Sequence, residues 1–231
     1  MLTPAIIAKM LDHSTLQPWL TEEDIRKGCE IALRYKTATV CARPGDMKLV
    51  SKLLEGSGVL PCTVIGFPHG AHLTAVKVFE AEQALADGCK ELDMVINIGR
   101  MKSGDYDYVE QDIRAVAEAA HKGGAILKVI IETCYLTDEE KTMACQLSEK
   151  AGADFVKTST GYGSHGATPE DVALMRAAVS DKVKVKAAGG MRTLDAILAV
   201  RAAGASRCGV SATEAIMQEA EKRYAEGTLG E

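Results

Sequence analysis

The chain alternates eight times between a short apolar run and a longer helical pattern, and this alternation constrains its fold more than any other feature. Strands that are joined by helices in this way are parallel, because a crossover is needed to start each strand from the same end of the sheet. The short runs are rich in β-branched and apolar residues, as expected for buried strands. They lie at Lys9–Asp12, Thr37–Cys41, Cys62–Phe67, Glu91–Ile98, Ile126–Thr133, Ala153–Thr158, Val183–Ala188 and Arg207–Val210.

Start and stop signals bound the helices between these runs. Thr21, Thr137 and Thr168 can each cap a first turn, and acidic residues follow all three. Glycine follows several of the helical patterns, where a helix should end before the next strand. The predicted helices are Thr21–Tyr35, Pro44–Glu55, Thr74–Asp87, Asp105–His121, Thr137–Lys150, Thr168–Val179, Thr193–Ala203 and Ala212–Tyr224, with a short extra helix after Thr3-Pro4.

The length decides how the strands are arranged. A chain of 231 residues falls in the range of roughly 200 to 250 residues that a closed α/β barrel occupies as one domain. We therefore predict a (β/α)8 TIM barrel over residues 1–231, with a short extra N-terminal helix. An open doubly wound sheet would be favoured by a Gly-x-Gly-x-x-Gly turn after the first strand, but Asp12-His13-Ser14-Thr15 stands there.

Composition excludes several classes of function. A net charge of −5 with acidic and basic residues interspersed, and 4% aromatic residues, leave no basic or stacking surface for nucleic acid. No apolar stretch approaches the roughly 18 residues needed to span a membrane. The seven cysteines lack Cys-x-x-Cys spacing, which favours free thiols in a reducing compartment. The start of the chain does not resemble a signal peptide, so we expect a cytoplasmic protein.

Charged residues recur on one face of strands that should be almost entirely apolar. We predict that this face points into the barrel, where each charge must be paired or reach water. Structural ion pairs are the favoured interpretation for the positions that lie deep along their strands, Glu91, Lys128 and Lys184. The full set is Glu91, Asp93, Lys128, Glu132, Lys157, Lys184 and Lys186.

Lys157 and Lys186 differ in their position, because each lies near the carboxyl end of its strand, where active sites of this fold are found. Two ammonium groups on neighbouring strands repel each other, which favours a neutral amine at one of them. A neutral amine can attack a carbonyl carbon, and Asp93 could transfer protons in the same cavity. The residues alone leave open a second interpretation, in which the lysines bind a phosphorylated ligand as charges without covalent chemistry.

The loops after the seventh and eighth strands have the features of a phosphate site. The first contains Gly189, Gly190 and Arg192, and the second contains Gly209 and Ser211 before a helix expected to begin at Ala212. Glycines let backbone N–H groups approach an anion, and a helix N-terminus attracts it. These two loops hold the usual phosphate site of a TIM barrel.

Several long segments resemble the deoxyribose-phosphate aldolase family. They are Leu11-Asp12-His13, Val64-Ile65-Gly66-Phe67-Pro68, Glu91-Leu92-Asp93-Met94-Val95-Ile96-Asn97, Lys128-Val129-Ile130-Ile131-Glu132-Thr133, Lys157-Thr158-Ser159-Thr160-Gly161-Tyr162 and Val185-Lys186-Ala187-Ala188-Gly189-Gly190. The resemblance implies reversible cleavage of 2-deoxy-D-ribose 5-phosphate to D-glyceraldehyde 3-phosphate and acetaldehyde. It implies no cofactor and no metal, because an iminium withdraws electrons as a Lewis acid would.

Carried over by position, the resemblance assigns roles to individual residues. Lys157 forms the Schiff base, Asp93 is the proton donor and acceptor, Lys186 is the second catalytic lysine, and Asp12 joins the proton relay. The residues expected to bind the substrate and its phosphate are Thr160, Gly189, Gly190, Arg192, Gly209 and Ser211. We also expect a homo-oligomer, either a dimer or a tetramer, with a small sugar phosphate as ligand and neither nucleic acid nor membrane as partner.

The sequence departs from the family at four positions. Tyr162 stands where phenylalanine is usual, His165 where glycine or another small residue is common, and Val210 and Ala212 where small hydroxyl residues are typical. Two alternatives remain for the function: a non-covalent phosphate-binding isomerase or synthase, and a catalytically silent barrel used for assembly.

Four further residues, three histidines and one cysteine, have structural interpretations. His69 and His72 have a metal-like spacing but no third ligand nearby in the sequence, so we predict no zinc site. His13 is expected to be a packed, hydrogen-bonded residue at the strand end, and Cys41 a buried thiol.

Overall fold

The structure, a computed structural model that describes residues 2–230, is a closed barrel of eight parallel strands in chain order. Each strand pairs with the next, and the last pairs with the first through Leu11 opposite Cys208. The prediction of a (β/α)8 TIM barrel is confirmed. The strands are β1 Leu11–Thr15, β2 Thr39–Ala42, β3 Leu60–Ile65, β4 Glu91–Val95, β5 Ile126–Ile130, β6 Phe155–Lys157, β7 Lys184–Ala188 and β8 Ala205–Val210.

Helices surround the barrel and connect its strands. Thr21 and Thr137 form complete capping boxes, and the side chain of Thr168 accepts a hydrogen bond from the Asp171 backbone, so the predicted caps are confirmed. The α-helices are α1 Pro4–Met10, α2 Glu22–Tyr35, α3 Met47–Leu54, α4 Thr74–Ala86, α5 Ile98–Lys102, α6 Tyr106–Lys122, α7 Asp138–Lys150, α8 Pro169–Ala178, α9 Leu194–Ala202 and α10 Thr213–Ala225. Short 3-10 turns lie at Pro44–Asp46 and Thr133–Tyr135.

Several predicted strand boundaries are wrong by one to three residues, including those of the first and fourth strands. The first strand was placed at Lys9–Asp12, but α1, which Thr3 caps, continues to Met10, and the strand begins at Leu11. The fourth strand was extended to Ile98, but it ends at Val95. The side chain of Asn97 accepts a hydrogen bond from the Arg100 backbone and so starts the short helix α5, which we did not predict.

The apolar core lies between the strands and the helices, whereas the barrel interior is largely charged. Leu92 and Met94 of β4 face outward and are fully buried in the apolar layer, while Glu91 and Asp93 face inward. His13 also faces outward, and its Nδ1 lies 2.8 Å from the Thr213 hydroxyl. Burial lowers the pKa of His13 to about 4. His13 is therefore a packed, hydrogen-bonded residue, as predicted.

A buried ion pair fixes the carboxyl end of β4. Lys77 of α4 is fully buried, and its Nζ donates to the Val95 carbonyl at 2.9 Å and lies 2.5 Å from an oxygen of Asp112 in α6. A Cβ at Gly66 would lie 2.8 Å from Lys77 Cε, so the backbone here requires glycine. The pair holds in place the end of the strand that carries Asp93.

None of the helices within residues 2–230 has the length and apolar character needed to cross a membrane.

Candidate active site

Asp93 lies at the centre of the barrel and contacts three lysines. Its Oδ2 accepts hydrogen bonds from Nζ of Lys157 and Nζ of Lys186, both at 2.7 Å. Its Oδ1 accepts from Nζ of Lys128 at 2.8 Å. The two lysines that lie near the strand ends therefore share one carboxylate oxygen, and the third lysine holds the other oxygen from below.

A second group of charges lies under Asp93. Lys128 also contacts Glu91 at 2.7 Å, and Arg207 bridges Glu91 at 2.9 Å and Asp12. Asp12 lies 2.5 Å from Nζ of Lys186, which joins the two groups. The predicted structural pairing of Lys128 and Glu91 is confirmed, and the predicted clustering of Asp12, Asp93, Lys157 and Lys186 is seen directly.

Two charged residues differ from what the sequence predicted. Lys184 was expected to pair inside the barrel, but it is exposed because it begins β7, and its Nζ lies 5.8 Å from the centre of the Phe155 ring. Arg207 was not singled out, although it takes the interior position expected of a charge partner. It shares the strand phase of Gly209, and this period of two was the available signal.

The cluster fixes the protonation states of its members. Burial opposes the charge on Asp93, but Lys128, Lys157 and Lys186 outweigh burial and hold the pKa of Asp93 well below its ordinary value. Burial also opposes the charge on Lys186, but Asp12 and Asp93 outweigh it and raise the pKa of Lys186. Lys186 is therefore a cation, and it is not the neutral amine that the repulsion argument requires.

A cavity of about 190 Å³ opens at the carboxyl ends of the strands, above this cluster. Every catalytic and phosphate-binding candidate except Asp93 lines it, and Asp93 lies directly beneath, bonded to both lysines of the lining. Cys41 is a buried thiol, as predicted, and it also lines the cavity. The cavity is lined by Asp12, Ser14, Leu16, Gln17, Cys41, Lys157, Thr160, Gly161, Tyr162, Lys186, Ala188, Gly189, Gly190, Met191, Arg192, Gly209, Val210 and Ser211.

The glycine-rich loops form one wall of this cavity. Gly189 and Gly190 have φ values of 82° and 77°, a conformation that favours glycine. Gly209 has no such φ, but a Cβ there would lie 3.1 Å from Ala188 Cβ and 3.6 Å from Lys186 Cε. A Cβ at Gly209 would therefore crowd Ala188 and only touch Lys186. The helix α10 begins at Thr213, and Ala212 provides no side-chain cap for its first N–H groups.

Glu132 has a supporting role that the sequence did not reveal. It is 1% exposed, and its carboxylate accepts hydrogen bonds from the Thr160 backbone N–H at 3.2 Å and from the Thr160 hydroxyl. Glu132 has φ 54°, outside the strand that we predicted to reach Thr133. The chain turn at Glu132 thus fixes the loop after β6 and with it Thr160.

Tyr162 also lines the cavity. Its hydroxyl lies 3.0 Å from the Leu16 carbonyl and 3.2 Å from the Gln17 side chain, and its ring packs edge-on against Phe67. The hydroxyl that departs from the family pattern therefore links the loops after β1 and β6.

Among residues 2–230, Cys41, Cys62 and Asp93 form the one group with three potential metal ligands. His69 and His72 are not part of it and lie exposed in the loop after β3. Asp93 is already neutralised by three lysines, so the charge around this group opposes a metal cation.

The fold and the site together define a TIM-barrel enzyme whose carboxyl end places two lysine amines and a carboxylate beside a glycine-rich wall. The sequence model of the DeoC/LacD family aldolases matches residues 6–219, so the chain belongs to this aldolase family.

Relatives and solved structures agree with this assignment. The chain is 55% identical to the deoxyribose-phosphate aldolase of Clostridium perfringens over 212 residues, which are 92% of this chain and 94% of the relative. It is 55% identical to that of Thermococcus gammatolerans over 216 residues, 93% and 96% of the two chains. The tetrameric deoxyribose phosphate aldolase of Aeropyrum pernix superposes with a TM-score of 0.88 at 32% identity, covering 94% of this chain and 92% of that one.

Proposed function

We propose that this chain is a class I aldolase that reversibly cleaves 2-deoxy-D-ribose 5-phosphate to D-glyceraldehyde 3-phosphate and acetaldehyde through a Schiff base on Lys157. One observation carries the residue assignment: Nζ of Lys157 lines the cavity and lies 2.7 Å from an Asp93 oxygen that Lys186 also holds. The family and its relatives support the reaction, and the glycine loops support a phosphorylated substrate.

In the first half of the proposed reaction, the neutral amine of Lys157 attacks C1 of the open-chain sugar and forms a C–N bond. The resulting carbinolamine loses its oxygen as water and becomes an iminium. Lys186, which is a cation, donates the proton that leaves in this water. It regains a proton through Asp93 when the 3-hydroxyl is deprotonated in the second half. The shared Asp93 oxygen gives a direct path between the two amines.

In the second half, the iminium accepts electrons from the bond between C2 and C3. That bond breaks while the 3-hydroxyl gives up its proton, and glyceraldehyde 3-phosphate leaves as an aldehyde. The low pKa of Asp93 keeps it as a carboxylate in the resting site. Once Lys186 has given up its proton, one cation fewer surrounds Asp93, so its pKa rises and it can accept the proton of the 3-hydroxyl. The remaining enamine takes a proton at C2, and water hydrolyses the iminium to acetaldehyde and free Lys157. Asp12, 2.5 Å from Lys186, keeps that lysine charged and in place.

Phosphate binding is proposed for the wall that the glycine-rich loops form, through the backbone at Gly189, Gly190, Gly209 and Ser211. The uncapped start of α10 adds free N–H groups and a favourable dipole for an anion. Arg192 is exposed at the rim, where it adds a charge. Thr160, fixed by Glu132, faces the sugar from the Lys157 side.

The test of this function is cleavage of deoxyribose 5-phosphate by the wild type and by Lys157→Ala. We expect the variant to keep its circular dichroism spectrum and to lose turnover. Substantial turnover in the folded variant would exclude a Schiff base on Lys157. No cleavage by the wild type would favour the alternative, a non-covalent isomerase or synthase in which the lysines act only as charges.

We also propose that residues 1–231 work as one domain within a homo-oligomer, a dimer or tetramer. Three apolar side chains are exposed on one face of α4 and at its N-cap. They are Leu73, Val76 and Phe79, which are 71%, 47% and 62% exposed. Exposed apolar faces of this kind mark interfaces, and one relative is described as tetrameric. Phe79→Glu is expected to lower the mass measured by analytical ultracentrifugation, and an unchanged mass would contradict this surface.

The proposed compartment is the cytoplasm. All seven cysteines are free thiols, a state that a reducing compartment preserves.

A further inference from the structure

Two cysteine thiols face each other inside the barrel, beside Asp93. Cys41 and Cys62 are direct partners in the parallel register of β2 and β3. Their Sγ atoms and an Asp93 oxygen all lie within 4.8 Å of one another. Cys41 also lines the cavity, whereas Cys62 is fully buried behind it. A small solute in the cavity can therefore meet Cys41 first.

The backbone geometry permits a bond between the two sulfurs. Neighbouring strands of a sheet lie about 4.8 Å apart, and disulfides span Cα separations of roughly 4.4 to 6.8 Å. Because Cys41 and Cys62 stand opposite each other and both side chains point into the barrel, a disulfide requires the two side chains to turn, and the strands can stay paired.

The surroundings make the two thiols unequal. Contact with Cys62 lowers the pKa of Cys41, against the effects of burial and of Asp93, and Lys186 and Lys157 add to the lowering. Burial raises the pKa of Cys62 well above its ordinary value. The thiolate is the reactive form of a cysteine, so the accessible thiol is also the more reactive one.

We propose that Cys41 and Cys62 form an oxidisable thiol pair, and that a hydroperoxide converts it to a disulfide that stops the aldolase reaction. The Cys41 thiolate attacks one peroxide oxygen, so an S–O bond forms, the O–O bond breaks and hydroxide or alkoxide leaves. The Cys62 thiol then attacks the Cys41 sulfenic acid, the S–S bond forms, and water leaves with the Cys62 proton. The two sulfurs lose two electrons, which reduce the peroxide.

The disulfide would act on the site through Asp93. The Cys62 thiol donates to Asp93 Oδ1 at 3.4 Å, and its sulfur lies 3.4 Å from Nζ of Lys128. A disulfide has no S–H to donate, and its formation draws the Cys62 sulfur toward Cys41. Asp93 then loses a donor, and the cavity floor beside Lys157 and Lys186 changes shape. We expect the cleavage rate to fall about tenfold or more, as for loss of a hydrogen bond to a charged group.

The experiment treats the wild type, Cys62→Ala and Cys134→Ser with hydrogen peroxide and removes the oxidant with catalase. Cys134 is the matched control, because it is the most exposed of the seven thiols and lies outside the barrel interior. Non-reducing peptide mass maps locate any disulfide, dimedone traps sulfenic acid, and the cleavage rate is compared with the untreated rate of the same variant. Dithiothreitol then tests reversal.

The wild type and Cys134→Ser should each lose about 2 Da, yield a linked Cys41–Cys62 peptide, lose activity and regain it with dithiothreitol. Cys62→Ala should accumulate dimedone-trapped sulfenic acid at Cys41. An oxidised wild type that lacks the linked peptide, or that carries it with an undiminished rate, would overturn the proposal. The linked peptide is detected without substrate, so a chain that forms it but cleaves no deoxyribose 5-phosphate would count against the proposed function and leave the thiol pair standing.

Discussion

Phosphate recognition can be tested at a single glycine. Gly190 has φ 77° in the loop after β7, and a Cβ added there would meet no protein atom within 4 Å. Gly190→Ala therefore leaves the protein's packing unchanged, and its effects are confined to the backbone angle and to a bound anion. The left-handed angle costs a residue with a Cβ roughly 1 to 2 kcal/mol. If the loop relaxes to relieve this cost, the backbone N–H groups that face the phosphate move away.

The size of the effect follows from the bonds at risk. Each hydrogen bond to a charged group contributes about 1.5 to 3 kcal/mol, which corresponds to about a ten- to hundredfold change in affinity. We expect Gly190→Ala to raise the KM for deoxyribose 5-phosphate at least about tenfold. The KM for unphosphorylated deoxyribose should change little, because that sugar has no phosphate whose contacts could be lost.

A second glycine supplies the control for backbone strain. Gly124, in the turn between α6 and β5, has φ 72° and equally open space around its Cα, but it lies at the opposite end of the barrel. Gly124→Ala should lower the free energy of unfolding by a similar amount and leave both KM values unchanged. Equal impairment of the two sugars by Gly190→Ala would refute the reasoning and place the phosphate elsewhere.

Three further outcomes are expected. Lys186→Leu should reduce kcat by about 10²- to 10⁴-fold, the range typical of a proton-transfer group, and shift the pH–rate profile; an unchanged rate and profile would leave Lys186 as a structural cation. Lys128→Met removes the buried cation that Glu91 and Asp93 share, and should cost about 3 to 5 kcal/mol in urea unfolding; a cost under about 1 kcal/mol would mean that the remaining cations, Arg207, Lys157 and Lys186, suffice. Burial lowers the pKa of His13 from 6.5 to about 4. The free energy of unfolding should therefore fall as the pH falls from 6.5 toward 4, because the unfolded chain takes up a proton that the native state excludes. The difference corresponds to about 3 kcal/mol, and it should disappear in His13→Asn; the same pH dependence in that variant would assign the effect to other groups.

The barrel was predictable from the sequence because its signals are local. The strand runs, the capping threonines and the glycine stops each depend on a few neighbouring residues. The interior charges were predictable for a related reason. Side chains alternate between the two faces of a strand, so Glu91 and Asp93 share one face and the apolar residues of β4 share the other. Boundaries failed where one element runs directly into the next, as at Met10, which ends α1 immediately before Leu11 begins β1.

What the sequence did not reveal depends on pairing between distant elements. From the sequence alone, Lys77 would be taken for an exposed residue of a helix. Its burial is explained by its contacts with Asp112 and the Val95 carbonyl. We predicted that Glu132 lies in a strand, but its carboxylate accepts a hydrogen bond from the Thr160 backbone in the loop after β6. The register of β2 and β3 determines whether Cys41 meets Cys62, and no spacing within the chain encodes that contact.

The central claim is that Lys157 forms a covalent bond with the substrate, and trapping that bond tests it most directly. The wild type is incubated with acetaldehyde and sodium borohydride, and the modified peptide is located by mass spectrometry, with Lys157→Ala treated in parallel. We predict a single stable addition of about 28 Da, the mass of an ethyl group in place of a hydrogen, on Lys157 in the wild type. No addition at any lysine, or an addition at Lys186 in place of Lys157, would contradict the account.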